Sequence, residues 1–214
     1  MKVIDLTHEI NEHMPVYPGT EPPVLAAANS YEKDGFKETR ISMHSHTGTH
    51  MDPPAHLFPD GTTLDQFPPE QFIGKAVVID CTDLAEGQVI TMNHVRRAGE
   101  NAARADFLLF HLGWDRRWGT DAYFGDYPCI DDEVMAFILR GAYKGIGFDV
   151  IGLDPISDAK LVRHHQLFAR RQIVNIENLC HLDQCGSGLF WFSCFPLKIS
   201  DSDGSPIRAV AWWE

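Results

Sequence analysis

Positive charge is scarce in this sequence: 18 lysines and arginines stand against 30 aspartates and glutamates, a formal net charge of −12. The two signs are mixed along the chain rather than gathered in tails, so neither a phosphate backbone nor an anionic membrane is an expected partner. Long apolar runs are missing as well, and nothing approaches the roughly eighteen residues that a membrane span needs. The opening "MKVIDLTHEI" carries a charge at Lys2 but no apolar run of secretory length. Cysteine is sparse and unpatterned. Cys81, Cys129, Cys180, Cys185 and Cys194 have neither C-x-x-C nor zinc-finger spacing, which favours buried free thiols in a reducing compartment over a disulfide framework. The cytoplasm follows as the default location. Internal repeats and low-complexity linkers are also absent, so residues 1–214 read as one domain, long enough to bury a real core.

What is present is the ordinary 44% apolar and 22% charged content of a globular chain. "KVIDLTHEI" reads as an opening strand, and "FKETRISMH" alternates as a second one. "GKAVVIDC", "ADFLLFHLG" and "GIGFDVIGLD" are compact apolar runs expected as buried strands. Between them "TMNHVRRAGENAAR", with Thr91 as N-cap, and "DDEVMAFILRGAY", with acids in its first turn, are expected helices. "LVRHHQLFAR" is a third helix and "QIVNIENL" is extended. "LFWFSCFPLKIS" and "PIRAVAWW" are closing strands joined by the turn "DSDGSP". Interleaved strands and helices that end in a run of strands give an α/β fold with a mixed sheet.

One segment is rich in histidine: "HSHTGTHMDPPAH", His44 to His56, holds four of the chain's eleven. In an extended chain His44, His46, Gly48, His50 and Asp52 face one way. A helix would also bring His46 near His50, but Thr47, Gly48, Thr49 and the Pro53-Pro54 pair oppose one. Four extended residues cover roughly 13 Å, whereas imidazole–metal bonds are about 2.0–2.1 Å. Convergence therefore needs a bend, and Gly48 permits it. Folded back there, His46, His50 and Asp52 form a three-ligand set of the kind found at catalytic divalent-metal sites with an open position. His56, presented by the two prolines, suits a proton carrier because an unperturbed imidazole titrates near about 6.5. His8, His13, His44, His94 and His111 read as ordinary surface or core residues.

The run His46-Thr47-Gly48-Thr49-His50-Met51-Asp52-Pro53-Pro54-Ala55-His56 resembles the signature H-x-G-T-H-x-D-x-P-x-H of the cyclase family that includes bacterial kynurenine formamidases and isatin hydrolases. The likeness extends to "DLTHEINEHMPVYPG" near the start and "FPLKISDSDGSPIRAVA" near the end. It implies a swivelling β/β/α domain, assembled as a homodimer or homotetramer. It implies that His46, His50 and Asp52 hold zinc or manganese, with one or two ions per subunit, and that His56 moves the proton. Family members with a second metal add a later histidine and a glutamate twelve residues on, here His165 and Glu177, with His164 the competing histidine. The implied activity is hydrolysis of an amide, an aryl formamide of the N-formylkynurenine kind, or a cyclic lactam or imide, by metal-activated water. "LFPDGTTLDQFP" after His56 departs from the usual kynurenine formamidase pattern, so the small-molecule substrate is not fixed.

Trp114, Trp118, Phe190 and Trp191 are candidates for an aryl pocket, although "LFWFSCF" reads more simply as a sheet filling its core. Trp212 and Trp213 suit packing or an oligomer contact. Three rivals stand beside this reading. A cupin-like metal enzyme would use His44 with His46. A serine or cysteine hydrolase lacks support, because "CGSGLF" around Ser187 misses the G-x-S-x-G spacing. A non-catalytic metal-binding member of the family would keep the fold alone.

Overall fold

The structure, a computed structural model, describes residues 1–169 and 172–214. The chain opens with β1 (Lys2–Asp5) and then makes a ribbon of β2 (Val24–Asn29) and β3 (Glu38–Ser42), linked by the single turn α1 (Tyr31–Asp34). It re-enters as β4 (His50–Asp52) and runs into the long strand β5 (Ile73–Asp80). After β6 (Val89–Ile90) come helices α2 (Met92–Arg97) and α3 (Glu100–Arg104), then strand β7 (Phe107–His111). β8 (Cys129–Ile130) pairs with β6 and leads into α4 (Asp132–Arg140) and β9 (Gly145–Phe148). Helix α5 (Val162–Phe168) and strand β10 (Val174–Glu177) follow. The chain closes with β11 (Phe190–Ser193), β12 (Ser205–Pro206) and β13 (Val210–Trp213).

Nine strands form one sheet in the order β1-β13-β11-β5-β7-β9-β10-β4-β12. The middle four, β5, β7, β9 and β10, are parallel, and every pairing outside them is antiparallel. All five residues of β7 are buried, as expected where a parallel strand is covered on both faces. Its alternate residues enter two cores. Leu108 and Phe110 join a cluster on the helical side, where Phe110 stacks on Phe148 with ring centroids 4.8 Å apart. Such a pair contributes about 0.5–1.5 kcal/mol beyond its buried area. Phe107 and Leu109 join a second cluster that also gathers Ile4 and Ala211 from one end of the sheet and Met51 from the other. Strands from opposite ends share one core, so the sheet is curled.

The expected mixed sheet with interleaved helices is therefore present, with differences in detail. β3 lies in the separate ribbon and is exposed along its length. The single helix expected over "TMNHVRRAGENAAR" is two, because Gly99 between them has φ 59° and ψ −139°, a conformation outside the helical region that L side chains rarely adopt. Thr91 does cap α2, accepting from the Asn93 N–H and sharing a capping box with His94. The expected helix "LVRHHQLFAR" runs as α5 from Val162 to Phe168; its Arg170 lies outside the described residues. The closing strands pair as expected, with Trp191 opposite Trp212 and their rings stacked at 5.5 Å.

Candidate active site

The site is built first by strand register. β4 and β10 pair antiparallel with His50 opposite Glu177 and Asp52 opposite Asn175. Residues two apart on a strand share a face, so these four side chains form a two-by-two group on one side of the sheet. They are almost completely buried, at 3% exposure for His50, 1% for Asp52, 0% for Asn175 and 5% for Glu177.

Gly48 makes the bend that brings His46 to this group. Its φ is 65°, a conformation that L side chains rarely adopt, so the bend favours glycine; a Cβ there would also press on the mobile end of the Met14 side chain, 2.9 Å from Cε. Asn178 holds the bend from behind: its Nδ2 donates to the Gly48 carbonyl at 2.7 Å, while its Oδ1 accepts from the Tyr123 hydroxyl at 2.6 Å. His50 Nδ1 donates to the same Gly48 carbonyl at 2.8 Å, leaving Nε2 to face Asp52 Oδ1 at 3.2 Å and Glu177 Oε2 at 3.5 Å. His46 Nδ1 lies 2.7 Å from Asp52 Oδ1. Its ring fills the space beside Gly204, where a Cβ would stand 2.5 Å from His46 Cε1.

The later histidine in the group is His164, which corrects the expectation of His165. One step along a helix turns a side chain by about 100°, and it is His164 that faces inward, buried to 5% exposure. Its Nε2 is 3.2 Å from Glu177 Oε1 and 3.9 Å from Asp52 Oδ2. His165 is exposed; its Nδ1 donates to the Leu161 carbonyl at 2.9 Å and its ring meets Phe58 edge-on. The family spacing of twelve residues pointed to His165, and helical facing overrides it.

Asp154, which sequence reasoning missed, fixes His164. One carboxylate oxygen accepts from His164 Nδ1 at 2.7 Å and from the His164 backbone N–H at 3.0 Å, while the other accepts from the Arg163 N–H at 2.8 Å. It caps the first turn of α5 and sets the imidazole's tautomer with one side chain. Asn175 and Asp203 were missed too. Asn175 had a faint signal in its i, i+2 spacing from Glu177. Asp203 sits at the rim, 3.3 Å from His46 Nε2, and that hydrogen bond holds its carboxyl down at about 2.

Burial opposes charge on His46 and His164, yet neighbouring carboxylates win. Asp52 and Asp203 push His46 up to about 10, and Asp154 with Glu177 do the same for His164. Burial works against Asp52 as well, but His50 and His46 hold its carboxyl well below the usual range. His56 behaves differently. Burial lowers it further than Asp52 can raise it, so its imidazole stays neutral near pH 7. Its ring lies 4.1 Å from that of His46 and 6.3 Å from that of His164, centroid to centroid.

Two donor groups share Asp52: His46–His50–Asp52 and Asp52–His164–Glu177, each with its ligand atoms within 4.8 Å of one another. Both fit a divalent cation on donor chemistry. The groups are carboxylate oxygens and imidazole nitrogens, the Nδ1 atoms of His50 and His164 are tied off by the protein, and the carboxylates that draw protons onto His46 and His164 would equally draw a cation. They open into a cleft of about 440 Å³ lined by Val16, Tyr17, His56, Ile151 and Leu161 among others, a size suited to a small ligand.

None of Trp114, Trp118, Phe190 or Trp191 lines this cleft. Trp114 and Phe190 are core residues, Trp118 stacks on His8 at 3.9 Å, and Trp191 takes the Lys75 ammonium over its face. His44 points to Glu21 at 2.8 Å, away from the donor groups the cupin reading required it to join. The five cysteines are free and buried, and burial pushes Cys129, Cys180 and Cys185 up to about 12, far from nucleophilic thiolates. No helix among the described residues is long and apolar enough to cross a membrane.

Fold and site together define a hydrolase built on a curled mixed sheet, and comparison with known proteins names its family. The family model described as "Putative cyclase" matches residues 4–155, and the chain belongs to that family. A kynurenine formamidase of Bacillus thuringiensis (strain Al Hakam) is 30% identical over 216 aligned residues, covering 97% of this chain and 95% of the relative. Among solved structures, isatin hydrolase A from Labrenzia aggregata, bound to benzyl benzoate, superposes with a TM-score of 0.87 at 26% identity, covering 98% of this chain and 93% of that one. A protein from Bacillus stearothermophilus described as a predicted metal-dependent hydrolase gives 0.74 at 26% identity over 98% and 97%. These likenesses bear out the expected α/β, swivelling β/β/α fold and place the chain among the amidohydrolases.

Proposed function

We propose that this protein hydrolyses the C–N bond of an aryl formamide or a cyclic lactam or imide, using a divalent zinc or manganese ion. The observation that carries the reading is the register of β4 on β10, which sets His50 against Glu177 and Asp52 beside them, with His46 and His164 facing the two oxygens of Asp52. His46, His50 and Asp52 would hold one ion; Asp52, His164 and Glu177 offer a second position. A divalent ion bound there lowers the pKa of water from about 15.7 towards about 7 and stabilises an oxyanion.

The chain's own residues supply the rest. His56, kept neutral by burial, accepts the proton of the attacking water as its oxygen bonds to the carbonyl carbon. It returns that proton to the nitrogen as the C–N bond breaks, so the amine forms while the second hydrogen of the water stays on the new carboxyl group, which then releases it to solvent. Asp154 keeps His164 from turning. Ile151, Leu161 and Tyr17 supply apolar walls around the scissile group.

The test pairs elemental analysis of purified protein with hydrolysis of N-formylkynurenine, isatin and simple lactams, before and after exhaustive chelation. Turnover of at least one substrate that chelation abolishes and metal restores is the expected result. Turnover that survives chelation would sink the metal reading, and a metal-loaded protein inert to all three classes would move the chain to the non-catalytic reading. We assign the cytoplasm as its compartment, which suits five unpaired thiols. The assembly we assign is a homodimer or homotetramer. The exposed apolar side chains Tyr31, Phe36 and Ile41 in and beside the ribbon support it, and a monomeric mass by light scattering would contradict it.

A further inference from the structure

Asn175 has no part in the mechanism above, yet it is wholly buried and aimed into the site. Its Nδ2 stands 2.7 Å from Glu177 Oε1, 3.2 Å from Asp52 Oδ2 and 3.3 Å from His164 Nε2. Those are one atom from each member of the Asp52–His164–Glu177 group. Its Oδ1, buried as well, has no hydrogen-bond partner among the described residues. An amide placed this way gives its whole donor capacity to the site and receives nothing for its acceptor.

The orientation follows from charge. Asp52 and Glu177 are acceptors, and turning the amide over would press Oδ1 against two carboxylate oxygens. The N–H groups therefore cross-link two negative side chains that would otherwise repel each other. An amide has two N–H hydrogens, and Glu177 Oε1 and Asp52 Oδ2 take both, so the 3.3 Å approach to His164 Nε2 is a contact and not a third hydrogen bond. The nitrogen still stands within 3.3 Å of one atom from each member of the Asp52–His164–Glu177 group. There its partly positive hydrogens take the room and the role that a cation would have. Among the described residues no amide N–H stands in the same way against His46 or against the Nε2 of His50.

Resting on the metal reading given above, we infer that Asn175 is a positioning residue whose amide stands in for a second cation, making the two metal positions unequal. The His46–His50–Asp52 position fills first. The Asp52–His164–Glu177 position fills only when the Asn175 amide moves aside. In the metal-free protein the same amide holds the two carboxylates at their working separation.

Titration of the chelated wild-type chain with Zn2+ or Mn2+, followed by calorimetry and elemental analysis, tests this without any variant. The expected result is one tight ion per chain and a second at least about tenfold weaker, within the range that outer-shell contacts exert on metal affinity. In Asn175→Ala the second ion should tighten by about tenfold and the gap should narrow, while the melting temperature of the metal-free variant falls and recovers on metal addition. Two ions of equal affinity in the wild type would overturn the inference while leaving the metal centre intact. So would a variant that loses the second ion, which would make Asn175 a ligand through Oδ1. Failure of the wild type to bind any ion would overturn the centre itself and this inference with it. The wild-type titration decides the matter even if Asn175→Ala does not fold.

Discussion

Among the described residues, two places bring one histidine and two carboxylates within 4.8 Å: Asp52–His164–Glu177, and His111–Asp115–Asp149. By distance they are equals, but their lone pairs are spent differently. In the first, His164 gives its Nδ1 proton to Asp154 and turns Nε2 inward, while the oxygens of Asp52 and Glu177 face imidazoles and a side-chain amide, with one backbone N–H, that of Leu153, reaching Glu177 Oε1 at 3.1 Å. In the second, Asp149 spends both oxygens on the backbone. Leu112 N–H reaches both at 3.0 Å, and Trp114 N–H reaches Oδ2 at 3.1 Å. Asp115 likewise accepts from the His181 N–H at 3.0 Å. The first cluster is arranged for something that is not part of the chain; the second folds the turn after β7. Proximity of donors does not make a ligand set, whereas free lone pairs on oriented donors do.

Within the first cluster, removing Asp52 should have the largest effect, since it belongs to both donor groups. Asp52→Ala is expected to purify without metal and with turnover at background, and unchanged metal stoichiometry would remove Asp52 from the ligand set. His56→Ala is the informative partner. It should keep its metal while turnover falls by about 10²–10⁴, the usual scale for a lost acid–base group. Full activity there would take His56 out of the reaction.

The two donor groups that share Asp52 were partly legible in the sequence, and the cluster around Asp149 was not. His46, His50 and Asp52 lie within seven residues around a glycine, so local chain geometry alone predicts that they meet. The left-handed φ of Gly48 bears out that argument. Glu177 and the later histidine sit more than a hundred residues downstream, and only a family spacing pointed to them. That spacing selected His165, because a separation along the chain carries no information about which way a helix faces. Asp154 and Asn175 left no usable trace: one acts through a helix cap, the other through strand register. The buried strands "GKAVVIDC" and "ADFLLFHLG" were legible because covered parallel strands are apolar throughout. The ribbon position of "FKETRISMH" was not, since an alternating pattern does not say which sheet a strand will join.

The carboxylate behind each cluster separates the two as well. Asp154→Asn keeps the size of the side chain but gives up one acceptor oxygen, leaving either His164 Nδ1 or the start of α5 unserved. Metal affinity is expected to fall by about 10–100-fold, with stoichiometry restored at high metal concentration. Asp149→Asn should leave metal content and affinity as in the wild type, because both Asp149 oxygens are already taken by the backbone N–H groups of Leu112 and Trp114. A change in metal affinity in Asp149→Asn would erase the distinction between the two clusters.

Asp149→Asn should instead appear in stability, and its pH dependence has a definite sign. Burial raises the Asp149 carboxyl from its ordinary 3.8 to about 7, against the pull of the backbone N–H groups of Leu112 and Trp114. Between those two values the folded chain keeps a proton that the unfolded chain has released. The stability this contributes is therefore full below 3.8 and is lost as pH rises through about 7. Asparagine cannot titrate, and it replaces one acceptor oxygen with an N–H group that faces backbone donors, at a cost of about 1–3 kcal/mol. Urea unfolding of the metal-free proteins should show the wild type ahead of Asp149→Asn by most at pH 4.5 and by less at pH 8. Titrations at the metal centre are common to both chains and cancel in the difference. A gap that stays constant across that interval would mean that Asp149 is ionised throughout, with its three backbone contacts outweighing burial.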